Sequence, residues 1–182
     1  MYKHKTRQAK QILDLDGNVA LEIATDFTGE LPVLERSGHV FLGYLVDGTL
    51  YKTYSYLGTE TSVQAVFATF TMYNGAATRI GDYGMKFSSY LDMTAEELNA
   101  LGITVSYGTL IAPNYEITAD GVKDYSKLTV DYTGNMINLN STVQVQAKGY
   151  TIINASAVWL TESQISLELV ARGYMTVTYA DG

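Results

Sequence analysis

Side chains suited to metal binding or thiol chemistry are few and widely spaced in this chain. It contains two histidines, His4 and His39, and no cysteine. Without cysteine there is no disulfide, thiol nucleophile or cysteine-ligated zinc, and the two histidines do not form a pair at metal-ligand spacing. His4 falls in a basic N-terminal stretch, and we interpret His39 as a half-exposed aromatic position in a strand.

One segment places oxygen ligands at alternating positions, as the first half of a calcium-binding loop does. These residues are Asp14, Asp16 and Asn18. A complete loop of this kind ends on a glutamate, and Glu22 comes too early to fill that position. Asp16 followed by Gly17 also favours a tight hairpin turn, because glycine accepts a positive φ at no steric cost. We prefer the turn to the calcium site.

Acid–base catalysis would need two carboxylates that meet in space. The candidates are Glu96, Glu97, Glu162 and Glu168, which we interpret as solvent-exposed charge. The sequence holds no glycine-rich phosphate-binding motif and no nucleophile elbow. We therefore predict that the chain is not an enzyme and uses no cofactor or metal. An enzyme would instead need a pocket with converging Asp or Glu side chains.

Aromatic side chains are the strongest candidates for ligand binding. The chain has 15 tyrosines, five phenylalanines and one tryptophan, and planar rings stack on sugars or anchor protein partners. We predict that the last two strands, 150–160 and 165–179, form a hairpin that gathers the second of two groups. The candidate ligand-binding residues are Tyr44, Tyr51, Tyr54 and Tyr56 in the first group, and Trp159 and Tyr174, with Tyr150 and Tyr179, in the second. Packing between the strands of a tyrosine-rich sheet is the alternative role, and the sequence favours it.

An intramolecular isopeptide bond between lysine and asparagine is a further interpretation. Lys86 and Lys148 lie in apolar strand contexts, and Asn138, Asn140 or Asn154 could be the partner near an acid. No spacing requires this bond. A mass lower by about one ammonia would report it.

The composition is that of a folded, acidic chain. Its 182 residues, 47% of them hydrophobic, suffice for the core of one domain or two small ones. The net charge of −7 disfavours nucleic acid as a partner. The first ten residues are the exception, with Lys3, His4, Lys5, Arg7 and Lys10. We interpret them as a solvated tail rather than a nucleic-acid or lipid-binding arm. No stretch has the roughly 18 apolar residues of a membrane span.

One segment near the middle of the chain carries every signal of a short capped helix. Thr94 and Glu97 fit a capping box, and Gly102 fits the left-handed residue that ends a helix. We predict this helix near residues 94–101. Apolar and polar residues then alternate, which indicates a strand.

Two weaker signals lie farther along the chain. The segment Lys127–Tyr132 alternates as a strand does. Thr161 and Gln164 either belong to the connection between the last two strands or cap a short helix.

The first part of the chain combines a proline-containing lead-in, an arginine, a glycine–aromatic strand, an acidic-glycine turn and a closing strand. The residues that carry this pattern are Pro32, Arg36, Gly38, Phe41, Gly43, Tyr44, Ala65 and Phe67. The segment resembles the B-type repeat of internalin-like bacterial surface proteins. The resemblance implies a β-grasp-like module that acts as a spacer or adhesive unit and has no catalytic residues. The chain departs from that pattern at His39, where an aromatic is usual, and at Tyr44 and Phe67, where tryptophan is usual.

The second part combines a Gly-apolar-basic-Phe strand, a helix, a Tyr-Gly-Thr-Leu-Ile strand and a closing Ala-Arg strand. The residues that match are Gly84, Lys86, Phe87, Tyr107, Gly108, Thr109, Ile111, Pro113, Ala171, Arg172 and Tyr174. Together they resemble a recurring module of large surface and secreted proteins of gut-type Firmicutes. Lys86 replaces the commoner arginine. The resemblance implies a cell-surface or extracellular parent protein, with its export signal outside this stretch.

We place the first module at residues 8–72 and the second at residues 73–182. Strand alternation continues from Ser62 to Tyr73, and the segment after it, to Asp82, is rich in small residues, as domain junctions are. Asn74 and Gly75 could instead form a hairpin turn within a single domain.

These observations predict a mostly β, α+β fold with two small modules, the first β-grasp-like and the second a β-sandwich-like sheet with one short helix. The predicted function is a non-catalytic spacer or adhesion segment of a bacterial cell-surface or secreted protein. Expected partners are host or cell-wall glycans or proteins. The main alternative is a carbohydrate-binding accessory module beside a glycan-active enzyme, and a self-assembling phage or pilus-like subunit is another.

Overall fold

The computed structural model describes residues 9–141 and 143–180, which divide into two compact units. The predicted basic tail, except for Lys10, lies outside the described residues, as does His4. Unit 1 consists of the segments Met1–Thr69, Glu96–Thr104 and Val177–Gly182. Unit 2 consists of the segments Phe70–Ala95 and Val105–Thr176.

Seven strands of unit 1 precede Thr69. They are β1 (Ala9–Asp14), β2 (Val19–Ala24), β3 (Gly29–Glu30), β4 (Val40–Val46), β5 (Thr49–Tyr51), β6 (Ser55–Tyr56) and β7 (Val63–Ala68). Five of them form one sheet in the order β2-β1-β7-β4-β5. Strands β1 and β7 are parallel neighbours. Strand β2 forms an antiparallel hairpin with β1 on one side, and the β4–β5 hairpin pairs with β7 on the other. The sheet is therefore mixed, and the β-grasp-like assignment of the first module stays a prediction.

Two acidic-glycine turns close the hairpins of unit 1, as predicted. Gly17 in the β1–β2 turn has a φ of 84°, and Asp47 and Gly48 in the β4–β5 turn have φ values of 46° and 90°. In the β4–β5 turn, positive φ at both central residues suits the twist of two antiparallel strands. The Oδ1 atom of Asp47 also accepts hydrogen bonds from the amides of Thr61 and Ser62, at 3.2 and 2.9 Å. These bonds fix the turn beside the start of β7.

The core of unit 1 surrounds Tyr44, whose side chain is 1% exposed. Its hydroxyl donates a hydrogen bond to the carbonyl oxygen of Pro32 at 2.6 Å, which satisfies the polar end of a buried ring. Burial raises the pKa of Tyr44 to about 12, because the phenolate would lose its hydration. The buried residues packed with it are Ile12, Ile23, Leu31, Val46, Tyr56 and Ala65.

The rest of the described chain contains ten strands and three short α-helices. They are β8 (Phe70–Met72), β9 (Ala77–Arg79), β10 (Gly84–Leu91), α1 (Ala95–Ala100), β11 (Thr104–Pro113), α2 (Asn114–Ile117), β12 (Thr118–Ala119), β13 (Val122–Lys123), β14 (Ile137–Asn140), β15 (Val143–Ala147), β16 (Tyr150–Ala157), α3 (Glu162–Ile165) and β17 (Leu169–Thr178). One sheet has the order β15-β16-β10-β8, with β9 also on β10, and a second has the order β14-β11-β17. The predicted β-rich α+β class is confirmed.

The two larger sheets of unit 2 pack face to face. Phe87 of β10, Ile111 of β11 and Ala157 of β16 are buried in one cluster. Gly173 of β17 lies close to β10, since a Cβ at that position would be 2.4 Å from the Oγ atom of Ser89. Such close sheet packing needs glycine and gives unit 2 a sandwich-like core.

The helix α1 falls inside the predicted range 94–101 and is followed by Gly102, whose φ is 74°. Helix α3 confirms the capping alternative: the Thr161 hydroxyl accepts from the Gln164 amide, and the Gln164 side chain accepts from the Thr161 amide. Helix α2 follows Pro113 directly and was not predicted. In the described part of the chain, no helix has the length and apolar character needed to cross a membrane.

The long strand predicted from Ser62 to Tyr73 is interrupted at Thr69. Strand β7 pairs with β4, whereas β8 pairs with β10 in a different sheet. The alternation of side chains continues through the break, so periodicity did not reveal it. Asn74 and Gly75 do not form a hairpin turn, because β8 and β9 both pair with β10 and not with each other.

The hairpin predicted from strands 150–160 and 165–179 is wrong. Strand β16 pairs with β10 and β15, whereas β17 lies beside β11 in the other sheet. The connection between them contains α3, and a two-stranded hairpin would need a much shorter turn. The strand predicted at Lys127–Tyr132 is also wrong. A 3-10 helix occupies Tyr125–Lys127, and its preceding Asp124 side chain accepts from the Ser126 amide.

Candidate functional site

Two of the predicted tyrosines belong to the core of unit 1. Tyr44 and Tyr56 are 1% and 3% exposed. The Tyr56 ring packs against Phe27, with 6.3 Å between ring centroids, and its hydroxyl accepts from the Lys10 ammonium. A buried ring has no free face for a sugar or a protein partner. The structure therefore places these two residues in the packing role that was the alternative.

Tyr51 and Tyr54 form a half-buried aromatic pair in unit 1. Their ring centroids are 5.2 Å apart, and both rings pack against the unit 1 core. The pKa of Tyr54 is raised, mainly by partial burial and next by the hydrogen bond and charge of the neighbouring Glu60 carboxylate. The structure brings these two predicted residues together, and both are half-buried against the core of unit 1.

The aromatic residues of the second predicted group differ in their contacts and exposure. The Tyr174 ring covers Gly108, where a Cβ would lie 2.3 Å from the ring, and its hydroxyl donates to Asn138 Oδ1 at 2.9 Å. Tyr179 belongs to unit 1, where its hydroxyl donates to the carbonyl oxygen of Leu42 at 2.6 Å. Only Trp159 of the six proposed ligand-binding residues is largely exposed, at 72%.

The oxygen-rich hairpin turn is saturated by donors from the protein. The Asp14 carboxylate is 2% exposed and accepts from the amides of Asp16 and Asn18, at 3.0 and 2.8 Å. It also pairs with the Arg36 guanidinium at 2.8 Å, and that guanidinium lies over the Phe67 ring. Burial raises the pKa of Asp14, but Arg36 and the other donors outweigh it and hold the pKa below its usual value. The turn, and not a calcium loop, accounts for these residues.

The other candidates for acid–base or metal chemistry have structural partners or lie on the surface. Glu168 pairs with Lys123 at 2.7 Å and accepts from Asn114 Nδ2 at 3.0 Å. Glu162 lies in the exposed first turn of α3, and His39 is exposed. Among residues 9–141 and 143–180, no three His, Asp or Glu side chains are grouped to hold a metal ion.

Three of the four most exposed large apolar side chains described in unit 2 lie on two adjoining loops. Ile80 and Tyr83, in the β9–β10 loop, are 96% and 67% exposed, and Trp159, just after β16, is 72% exposed. We call these three residues the aromatic edge. Tryptophan and tyrosine are among the side chains that most often dominate binding energy at protein interfaces, which makes these exposed rings candidates for contact with a partner.

Backbone contacts hold the two loops of the aromatic edge together. The Trp159 amide donates to the Asp82 carbonyl and the Leu160 amide to the Tyr83 carbonyl, both at 2.9 Å. Gly84 permits this approach, because a Cβ there would be 2.3 Å from the carbonyl oxygen of Ala157. The rings are therefore presented by a fixed backbone and not by independent loops.

Both aromatic residues of the edge have a strained backbone. The φ of Tyr83 is 45° and that of Trp159 is 57°. A residue with a Cβ in the left-handed region is disfavoured by about 1–2 kcal/mol, and glycine would avoid this cost. Strained positions of this kind cluster at functional sites. The chain thus retains large rings where stability alone would favour glycine.

A groove and an ion pair adjoin the aromatic edge. The groove encloses about 440 Å³, and Leu160 and Ile165 supply part of its apolar lining. The Arg79 guanidinium donates to the Asp82 carboxylate through two nitrogens, at 3.0 and 2.5 Å, and lies 3.4 Å from Ser156 Oγ. Apolar surface beside fixed polar groups can bind a ligand that has both characters.

The sequence-based search missed two of the three residues of the aromatic edge. Ile80 lies in the stretch that was interpreted as a junction rich in small residues, and Tyr83 follows directly after that stretch. The available signal was the Gly81-Asp82 pair between two strand-like segments, which favours a turn and would expose its flanking side chains.

No family model, curated protein or solved structure matches the chain. The resemblances to modules of bacterial surface proteins therefore stay predictions.

Proposed function

We propose that this chain is a non-catalytic spacing and adhesion segment of a bacterial cell-surface or secreted protein, and that the aromatic edge is its contact surface. The observation that carries the proposal is the exposure of Tyr83 and Trp159 on left-handed backbone. An exposed ring contributes little to the core, so its strain is not repaid by burial. Binding of a partner supplies a reason for it.

The expected partner is a glycan or protein of a host surface or a cell wall. A tryptophan anchor that inserts into a pocket of a partner protein would use the full ring of Trp159. Ile80 would widen the apolar contact on the neighbouring loop.

A carbohydrate-binding accessory module is the second candidate. It is favoured by the Arg79–Asp82 ion pair beside the exposed rings. Sugars present apolar ring faces together with hydroxyl groups, so an aromatic face next to fixed donors and acceptors is suited to them.

Binding of the fluorescently labelled chain to a glycan array and to intact bacterial and host cells tests the proposal. Trp159→Ala should lower the signal at least about tenfold, which corresponds to about 1.4 kcal/mol. The matched control is Tyr115→Ala, which removes a 59% exposed ring elsewhere in unit 2 and should leave binding unchanged.

Pretreatment of the cells identifies the chemical class of the partner. Periodate, which oxidises glycans, should abolish binding if the partner is a carbohydrate, whereas protease should abolish it if the partner is a protein. Equal binding by wild type and Trp159→Ala would show that the aromatic edge is not the contact surface. Absence of binding to every surface would leave only the spacer role.

A further inference from the structure

A second surface of unit 2, away from the sandwich core, forms a polar cleft. Along β10, Phe87 is buried inside the sandwich, so the neighbouring Lys86 and Ser88 lie on the opposite face of the sheet. Asn154 of β16 is the cross-strand partner of Ser88 on that face. Residues 73–76, which connect β8 to β9, form one wall. The cleft encloses about 630 Å³, a volume in the range of small-molecule sites, roughly 300–1,000 Å³.

The charge in this cleft has no counterpart within the described protein. Lys86 is half-buried, whereas the other described lysines are exposed. Arg36, Arg79 and Lys123 each pair with a carboxylate, but among the described residues no carboxylate pairs with Lys86, and no acidic side chain lines the cleft. A partly desolvated ammonium without a counter-charge attracts an anion.

Hydrogen-bond donors accompany this ammonium. The Oδ1 atom of Asn154 accepts from the Ser88 hydroxyl at 2.7 Å. The Asn154 amide nitrogen is left with two donor hydrogens for a ligand. A lysine and an amide nitrogen on one face of a sheet can each donate to one oxygen of a carboxylate.

The same cleft bears on the isopeptide interpretation. It contains both Lys86 and Asn154, which were a candidate pair. Asn138 instead accepts from the Tyr174 hydroxyl, and Lys148 is an exposed residue beyond β15. The acid that the interpretation required does not line the cleft, so the ammonium stays free for a ligand.

Apolar surface completes the cleft. Val145 of β15 and Ile152 of β16 line it, and Tyr73, which is 49% exposed, lies at its wall. The outer face continues beyond Ile152 to the rings of Tyr90 and Tyr150, whose centroids are 5.4 Å apart. A ligand for this surface carries a carboxylate on a body with apolar faces.

We propose that the Lys86 cleft binds an acidic saccharide, with the carboxylate of a uronic acid on Lys86 and Asn154 and the sugar ring against Ile152 and Val145. A sugar acid combines the anionic group with an apolar ring face, whereas a neutral sugar leaves the ammonium unpaired. This inference concerns a different surface from the aromatic edge and does not rest on the proposed function.

Calorimetric titration of the full chain tests it. The ligand is an oligosaccharide of alternating glucuronic acid and N-acetylglucosamine, and its carboxyl-reduced form is the neutral comparison. The wild type should bind the acidic form at least tenfold more tightly. Lys86→Gln should abolish this preference, Lys86→Arg should keep it, and the exposed Lys148→Gln should match the wild type. Amide fingerprint spectra establish that each variant is folded.

Several results would overturn the proposal. They are no binding of the acidic oligosaccharide at millimolar concentration, equal binding of its neutral form, and full binding by Lys86→Gln. A short peptide that binds through its C-terminal carboxylate as tightly as the saccharide would show that the ligand class is wrong. Loss of binding in both lysine-to-glutamine variants would show a general charge effect instead of a site.

Discussion

Replacement of Trp159 by glycine and by alanine separates backbone strain from the function of the ring. Both changes delete the indole, which is 72% exposed, so both should weaken ligand binding equally. They differ in the backbone, because φ at this position is 57°. Alanine retains the clash of its Cβ in the left-handed region, and glycine removes it.

The size of the difference follows from two opposing terms. Relief of the left-handed strain favours glycine by about 1–2 kcal/mol. The greater freedom of glycine in the unfolded chain opposes it by about 0.5–1 kcal/mol. The free energy of unfolding of Trp159→Gly should therefore exceed that of Trp159→Ala by about 0.75 kcal/mol, which is the difference between the midpoints of the two ranges.

Urea unfolding of both variants, followed by circular dichroism, measures this difference. Tyr115 provides the control, because it lies in helix α2 and its ring is 59% exposed. There the order should reverse, with Tyr115→Ala more stable than Tyr115→Gly by about 0.5–1 kcal/mol. If Trp159→Ala proves as stable as Trp159→Gly, position 159 is not strained and the argument from strain to function fails.

Three further predictions concern unit 1. Arg36→Met should lower the free energy of unfolding by about 2 kcal/mol at pH 7. Because the folded pKa of Asp14 is depressed, the stability from this pair is present above its unfolded pKa, about 3.9, and is lost as the pH falls through the folded value. The difference in free energy of unfolding between Arg36→Met and the wild type should therefore be smaller at pH 3 than at pH 7. An equal difference at both pH values would contradict the Asp14–Arg36 ion pair. Burial raises the pKa of the Tyr44 hydroxyl in the folded state, so its contribution to stability is present below the unfolded pKa and is lost as the pH rises through the folded pKa. Tyr44→Phe should therefore lose less stability than the wild type between pH 10 and about 12. A variant whose free energy of unfolding falls with pH as steeply as that of the wild type would argue against burial of the hydroxyl. Gly43→Ala should lower the free energy of unfolding by about 1–3 kcal/mol, because its Cβ would lie 2.1 Å from a β5 carbonyl oxygen. Gly17→Ala should lower it less, because a Cβ at that position meets no atom within 4 Å. Equal losses of stability in denaturant unfolding would refute this ranking.

Local chemistry explains which parts of the fold were predictable. The Asp-Gly turns at 16–17 and 47–48 dictate their own geometry, so both hairpins of unit 1 follow from the sequence. The break at Thr69 does not, because apolar side chains alternate on both sides of it. Only the pairing of β8 with β10 separates the two strands, and pairing partners are a tertiary property.

The candidate site was predictable only in part, for a related reason. Tyrosine suits both a core and an exposed face, so composition did not distinguish buried Tyr44 from exposed Tyr83. Trp159 was identified by its residue type, but its neighbours come from a loop more than 70 positions earlier, joined to it by the Trp159–Asp82 backbone hydrogen bond. Lys86 was noted for its apolar strand context, and its lack of a carboxylate partner needed coordinates.

Intrinsic fluorescence tests the central claim most directly, because Trp159 is the one tryptophan of the chain. The wild-type chain is titrated with whichever surface component binds it in the array or cell assay, and tryptophan emission is recorded beside calorimetric binding. If the aromatic edge is the contact surface, emission should shift to shorter wavelength and acrylamide quenching should fall along the same binding curve. Saturable binding with unchanged emission and quenching would show that the ligand lies elsewhere.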